Sequence, residues 1–355
     1  MKRLLCVLCV LCGSAFSQLR PVHTFSIVAR DPVTGQIGVA VQSHWFSVGS
    51  IVTWAEAGVG AVATQSFVDP SYGPNGLELM RKGTPAPDAL KQLLAKDKFT
   101  EGRQVAFVDS NGKVGVFTGC KDMQAAGHIA GSPNDTFAMD SIKSSDGKCE
   151  SELRYGREFS TEANLMLNDK IWSAMASAYK STKGDLADRL LAALDAAQAV
   201  GGDIRGRQSA AILIVEGKRQ PAPWMGRVFD LRVDDAAEPL QELRRLVALQ
   251  RAYNHMNAGD LAVEHKDNEA ALREYSAAEQ IAQKTLGVLP SRLAEMIYWH
   301  AVALVNMNRV EESLPMFKRA FAIEKGWVEL TPRLPRSGLL PDDPKLIVRI
   351  VSQAK

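Results

Sequence analysis

Polar and apolar positions interleave over Thr24–Arg30 and alternate over Ile37–Ser43, and the two runs flank Asp31-Pro-Val-Thr-Gly-Gln36. Proline presets one turn dihedral and Gly35 supplies a positive φ, so the pattern predicts a β-hairpin. Alternation then puts Thr24, Ser26 and Val28 on one face of the first strand. Ile37, Val39, Val41 and Ser43 share one face of the second. A third strand over 58–65 is built from Gly, Ala and Val, which predicts a very close neighbour. Residues 77–94 carry Leu77, Leu79, Met80, Ala89, Leu90, Leu93 and Leu94 at helical spacing, with Gly83 and Pro85 breaking the helix in two. Strands over 104–109 and 114–118 are joined by the tight-turn signal Ser110-Asn-Gly112. Helices over 165–179 and 185–200 follow, Gly201-Gly202 ends the second, and Ser209–Val215 reads as another strand. Strands, helix, strands, helices, strand is the order of antiparallel sheets covered by helices.

Beyond about residue 217 the pattern changes. Pro221 and Pro223 mark a boundary, so 217–238 reads as a linker, 239–330 as a helical domain and 331–355 as a C-terminal tail. Within the helical stretch, Ala271-x-x-x-Tyr275-x-x-Ala278 recurs as Ser313-x-x-x-Phe317-x-x-Ala320. Small, aromatic and small residues at these offsets let two antiparallel helices close around one ring. The pattern resembles tetratricopeptide repeats, although the copies are 42 residues apart and that repeat has about 34. An ordinary helical bundle is the alternative.

The 355 residues are 46% hydrophobic and 23% charged, a globular composition. Cys6, Cys9 and Cys12 are spaced like part of an iron–sulfur ligand run. Their context points elsewhere. Lys2 and Arg3 precede an apolar run over 4–11 and then Gly13, Ser14, Ala15, Phe16 and Ser17, which predicts a signal peptide over 1–17 cut before Gln18. The product is expected to be secreted or periplasmic and free of the membrane. Removing Lys2 and Arg3 brings the formal charge from +2 to neutral, which argues against nucleic acid as a partner. Cys120 and Cys149 would be left in an oxidising compartment as the candidate disulfide.

Gly58-x-Gly60-x-x-Ala63 matches a dinucleotide fingerprint, but a β-like run continues where that motif needs a helix. The six histidines show no H-E-x-x-H and no Cys/His pairing, so neither a metal nor another cofactor is expected. What the pattern does offer is hydroxyl and amide residues at strand ends: Thr24, Ser26, Gln42, Ser43, His44, Thr64, Gln65, Ser66 and Asn75. Such groups can supply a nucleophile and oxyanion donors, and are also common where strands meet solvent. Asp203-Ile-Arg205-Gly-Arg207-Gln208-Ser209 is suited to clamping a carboxylate, and equally to a structural ion-pair network.

Taken in order, Thr24-Phe-Ser-Ile-Val-Ala-Arg-Asp31, Gly38-Val-Ala-Val-Gln-Ser-His44, the stretch 54–65, Ser71-Tyr-Gly-Pro-Asn-Gly76 and the stretch 201–210 resemble the bacterial "domain of unknown function 1028" family. That resemblance implies an N-terminal-nucleophile (Ntn) hydrolase-like fold over 24–216, an α+β sandwich of four layers, αββα. It also implies a role for Thr24 as nucleophile, with its freed α-amino group as base. Gln65 and Asn75 would be oxyanion donors, with Gln42 and Ser43 in support. His44, Asp203, Arg205, Arg207, Gln208 and Ser209 would contact substrate. The expected function is an exported amidohydrolase acting on a small-molecule or peptide-like amide, with a helical domain for a protein partner. The alternative is a catalytically silent Ntn fold that binds peptide or cell-wall fragments. Two departures from the family stand out: Ala163 in Ala163-Asn-Leu-Met166 replaces a glycine, and 132–158 reads as an insertion.

Overall fold

The computed structural model describes residues 21–131, 138–141, 151–285 and 287–355, in two compact units that divide between Leu240 and Gln241. The first runs β1 (Thr24–Arg30), β2 (Ile37–Ser43), β3 (Thr53–Glu56), β4 (Gly60–Ser66), α1 (Tyr72–Arg81), α2 (Ala86–Leu94), β5 (Arg103–Asp109) and β6 (Lys113–Thr118). It continues through β7 (Gly127–Ala130), β8 (Ala138–Ser141), β9 (Glu152–Arg157), β10 (Phe159–Ala163), α3 (Ile171–Ser181), α4 (Leu186–Ala199), β11 (Ser209–Val215) and β12 (Arg227–Val233). The strands form two antiparallel sheets, ordered β12-β11-β2-β1-β10-β7-β8 and β3-β4-β5-β6-β9. Helices α3 and α4 pack on the first sheet and α1 and α2 on the second, while the remaining faces meet each other. This is the expected α+β sandwich of four layers.

The hairpin has the bounds its alternation predicts, pairing from Thr24↔Ser43 to Arg30↔Ile37. Its turn is held by the Asp31 carboxylate, which accepts from the amides of Val33 and Thr34 at 3.3 Å. The close neighbour of β4 is the other sheet: Ala61 and Ala63 join Val28, Val39, Val41, Ala106 and Val108 in the core between the sheets. Val62 points the other way, among Tyr72, Leu77 and Met80. Gly58 lies in the turn from β3 to β4, and no helix follows. A Cβ there would sit 2.2 Å from the Arg219 amide nitrogen, so close approach accounts for that glycine.

Four expectations need correction. The first helix after β10 starts at Ile171, not at 165. Residues 217–238 are no simple linker, because β12 lies within them and pairs with β11 from Ala210↔Val233 onward, burying Phe229 and Val233. The presumed insertion supplies β8 and β9, an edge strand for each sheet. Ala163 stays in a regular strand opposite Phe25, so no turn depends on a glycine there.

The second unit contains most of α5 (Pro239–Glu264), then α6 (Asn268–Lys284), α7 (Pro290–Asn306), α8 (Val310–Ile323), α9 (Gly326–Leu330) and α10 (Pro344–Val351). Both small–aromatic–small triplets are buried. A Cβ on Gly259 would come within 2.9 Å of the Tyr275 ring, which stacks on His300 at 5.2 Å. Phe317 meets Tyr298 edge-on at 5.5 Å. The expected tail is part of this core: Leu334, Leu340 and Ile350 are buried in one cluster with Tyr298, Phe317 and Phe321. Asp343 caps α10 by accepting from the amides of Lys345 and Leu346. Ile350→Ala is therefore expected to lower stability by about 2–4 kcal/mol, the usual range for emptying a buried aliphatic site. Urea unfolding of the full chain measures this, and an unchanged midpoint would show that burial of Ile350 does not stabilise the helical unit.

Candidate functional site

Along the strands that face each other between the sheets, the apolar core stops at one level and hydrogen-bonding residues take over. Val28 gives way to Ser26, Ala63 to Gln65, Ala106 to Gln104 and Val116 to Thr118, with His128 and Glu162 joining from β7 and β10. All six are buried. The Ser26 hydroxyl lies 2.7 Å from Gln65 Oε1 and 3.1 Å from Glu162 Oε1. Gln65 Nε2 donates to Gln104 Oε1 at 2.6 Å and to the Thr24 carbonyl at 3.3 Å. Gln104 Nε2 donates to Thr118 Oγ1 at 2.9 Å and to the Ala163 carbonyl at 2.9 Å, and Thr118 Oγ1 lies 2.8 Å from His128 Nδ1. Asn164 Nδ2 donates to Gln104 Oε1 at 2.8 Å, which leaves its Oδ1 to accept from His23 Nδ1 at 2.7 Å.

Thr24 sits at the end of this layer, fully buried. Its hydroxyl donates to the Val22 carbonyl at 3.0 Å, and its own carbonyl accepts from the Asn164 amide at 3.1 Å. The carbonyl just before it, that of His23, accepts from the Ser43 hydroxyl and, at 2.8 Å, from Arg205 Nη2. Asp203 aims that guanidinium, accepting from Nε at 3.0 Å and Nη2 at 2.7 Å, and it also accepts from the His44 amide at 3.2 Å. Two donors, one of them cationic, thus converge on one carbonyl oxygen beside a threonine hydroxyl. That is the donor arrangement that stabilises charge developing on an attacked carbonyl.

Of the expected site residues, Thr24, Ser43, Gln65, Asp203 and Arg205 come together here. His44 and Gln208 line the adjoining cavity of about 590 Å³, with Pro21, His23, Trp45, Phe46, Met123, Leu165 and Arg205. Ser209 supports its wall, donating to the Trp45 carbonyl and accepting from the Val48 amide at 3.1 Å. Three residues lie elsewhere. Gln42 is paired with Phe25, one position out of phase with Ser43, and so faces the α3/α4 layer. Asn75 is exposed on α1, outside the five-stranded sheet. Arg207 is exposed and pairs with Glu238. Cys120 is disulfide-bonded, and Cys149 lies outside the described residues. The Cys120 amide donates to Ser151 Oγ at 2.9 Å, which brings the chain just beyond Cys149 alongside it. The predicted signal peptide over 1–17 also lies outside the described residues.

Sequence reading did not single out Asn164, Gln104 or Glu162, nor Asp122. Asp122 Oδ1 accepts from Ser66 Oγ at 2.6 Å. Ser66 takes φ +66 and Leu165 φ +57, left-handed conformations that non-glycine residues hold only where their surroundings impose them. Burial raises the Glu162 carboxyl well above its ordinary value, the Ser26 hydroxyl opposing. One Ser26 proton cannot serve two acceptors, so a neutral Glu162 that donates to Ser26 through Oε1 pairs that contact, while its buried Oε2 has no hydrogen-bond partner among the described residues. Burial also pushes Asp122 up to about 7, against the pull of its Ser66 hydrogen bond.

A carboxyl whose proton is held more tightly in the folded chain stabilises at low pH and loses that contribution as pH rises. For Asp122 the window runs from about 4, where the unfolded chain titrates, to about 7, and the loss reaches at most about 4 kcal/mol. Asp122→Asn is expected to reduce the slope of stability against pH in this window, and Asp122→Asn with Glu162→Gln to reduce it further. Urea midpoints between about pH 4 and pH 8 measure it, and an unchanged slope would exclude Asp122 as its source.

No curated protein matches the chain. A crystal structure of the Silicibacter pomeroyi protein SPO2555, assigned to the DUF1028 family, is similar at 27% identity over 63% of this chain and 88% of that one, with a TM-score of 0.49. The sequence model of a family of unknown function, DUF1028, matches residues 24–140 and 135–243, together more than half of the chain. The protein therefore belongs to the DUF1028 family.

Proposed function

We propose that the chain is an exported amide hydrolase of the Ntn type, with Thr24 as nucleophile once the bond before it is cut. The observation that carries this reading is the pair of donors, Ser43 Oγ and Arg205 Nη2, on the His23 carbonyl oxygen next to the Thr24 hydroxyl. In the uncut chain the same groups would drive self-cleavage. Thr24 Oγ adds to the His23 carbonyl carbon, the C–N bond breaks as the Thr24 nitrogen takes a proton, and His23 is left as an ester on Thr24. Water hydrolyses that ester to a His23 carboxylate and a free Thr24. The new α-amine, with an ordinary pKa near 8, then serves as base for the hydroxyl when a substrate amide occupies the place of the His23 carbonyl. Gln65 and Asn164 hold the Thr24 backbone in position. Export follows from the predicted leader over 1–17, and a protein partner for the helical unit from its likeness to tetratricopeptide repeats.

One observation favours the second reading, a silent fold that binds peptide or cell-wall fragments. Val22 is fully buried and bridged to Ser66, so residues ahead of Thr24 are built into the sandwich. N-terminal sequencing of the exported protein decides between the two. The hydrolase reading expects a start at Thr24, a persistent uncut chain for Thr24→Ala, and cleavage slowed roughly 10²-fold for Ser43→Ala, the usual effect of losing one oxyanion donor. A wild-type protein that still starts at Gln18 and turns over no member of a broad amide panel establishes the binding reading.

A further inference from the structure

We infer that the groove now holding residues 21–23 is the acyl-binding site of the chain freed at Thr24. Its substrates are then extended peptides with a β-branched residue second from the scissile carbonyl and a hydrogen-bond-donating side chain next to it. This rests on the nucleophile reading above and goes beyond it to the substrate. Val22 meets Ser66 in an antiparallel bridge, donating to its carbonyl at 2.5 Å and accepting from its amide at 2.9 Å. Those are main-chain bonds that any extended peptide can make at the end of β4, as in strand addition to a sheet. The Val22 side chain is fully buried and belongs to the apolar cluster between the sheets. A compact branched side chain fills that position, and a charged one would be buried without a partner.

Selectivity at the next residue comes from Asn164. Its Nδ2 is committed to Gln104, so its Oδ1 can only accept, and a side chain that brings a donor is preferred to an aliphatic one. His23 fills this place with 3% of its surface exposed. Burial lowers its pKa, so the ring sits there as neutral imidazole. After cleavage the leader ends in a carboxylate beside the Arg205 guanidinium, which makes it a product that holds on to its own site. The open cavity alongside, with Trp45, Phe46 and Met123 in its walls, has room for the rest of a substrate.

The test is binding in trans, read by fluorescence anisotropy of a labelled peptide with the sequence of residues 19–23, Leu-Arg-Pro-Val-His, and a free carboxylate. It is added to the chain freed at Thr24, and separately to the uncut chain carrying Thr24→Ala together with Val22→Gly and His23→Gly, whose leader is loosened. Saturable binding is expected in both, and none in the chain that carries Thr24→Ala alone and keeps its leader in place. Replacing histidine by leucine or valine by glycine in the peptide is expected to weaken binding about tenfold, as is Asn164→Leu in the protein. The peptide changes keep the test sound should the protein variant misfold. Binding no tighter than that of a scrambled peptide, by a chain that hydrolyses other amides, overturns the substrate inference and leaves the nucleophile reading standing. Tight, sequence-dependent binding without hydrolysis of Pro-Val-His-aminomethylcoumarin establishes the site and removes the nucleophile.

Discussion

Everything around Thr24 depends on a buried layer of hydrogen bonds that replaces hydrophobic packing at one end of the space between the sheets. Each unpaired polar group in such a place costs about 1–3 kcal/mol. Ser26, Gln65, Gln104, Thr118, Asn164 and Glu162 are therefore tolerated as a set in which each member satisfies another. The layer spans both sheets, since Ser26 and Glu162 come from one and Gln65 and Gln104 from the other. It fixes the sheets' relative register at the level where Thr24 begins, and a core of valine and alanine alone would specify that register less sharply.

The same layer explains what the sequence revealed and what it concealed. The hairpin, the helix break at Gly83 and Pro85, and β11 were legible because apolar periodicity and turn residues agreed there. Strand β10, Phe-Ser-Thr-Glu-Ala, was not. Its residues are all buried, yet three of its five are polar because they enter the layer or bond to neighbouring backbone. β12 was hidden behind Pro221 and Pro223, which punctuate a loop rather than end the domain. In the helical unit, Leu334, Leu340 and Ile350 are too widely spaced to register as one periodic element, and only folding brings them together.

At the site itself, residue types were easier to read than faces. Ser43 and Gln42 are adjacent in one family block, but strand alternation sends one to the His23 carbonyl and the other to the helical layer. Asp203 and Arg205 were legible as a pair able to clamp something, and in the fold that something is a main-chain carbonyl of the chain itself. Asn164 and Gln104 carry no local signal. Their importance comes from contacts made across 141 and 60 residues of sequence.

Those separations impose an order of events. Arg205 lies 182 residues beyond the carbonyl it contacts, and β1 must pair with β10 before Asn164 can reach His23. Contacts of such range form late, after most of the chain has collapsed. The His23 carbonyl therefore gains its two donors only after most of the chain is in place. Until β11 pairs with β2 and brings the Asp203–Arg205 segment with it, that carbonyl lacks its cationic donor, so the peptide unit before Thr24 carries a chemical mark of the completed fold.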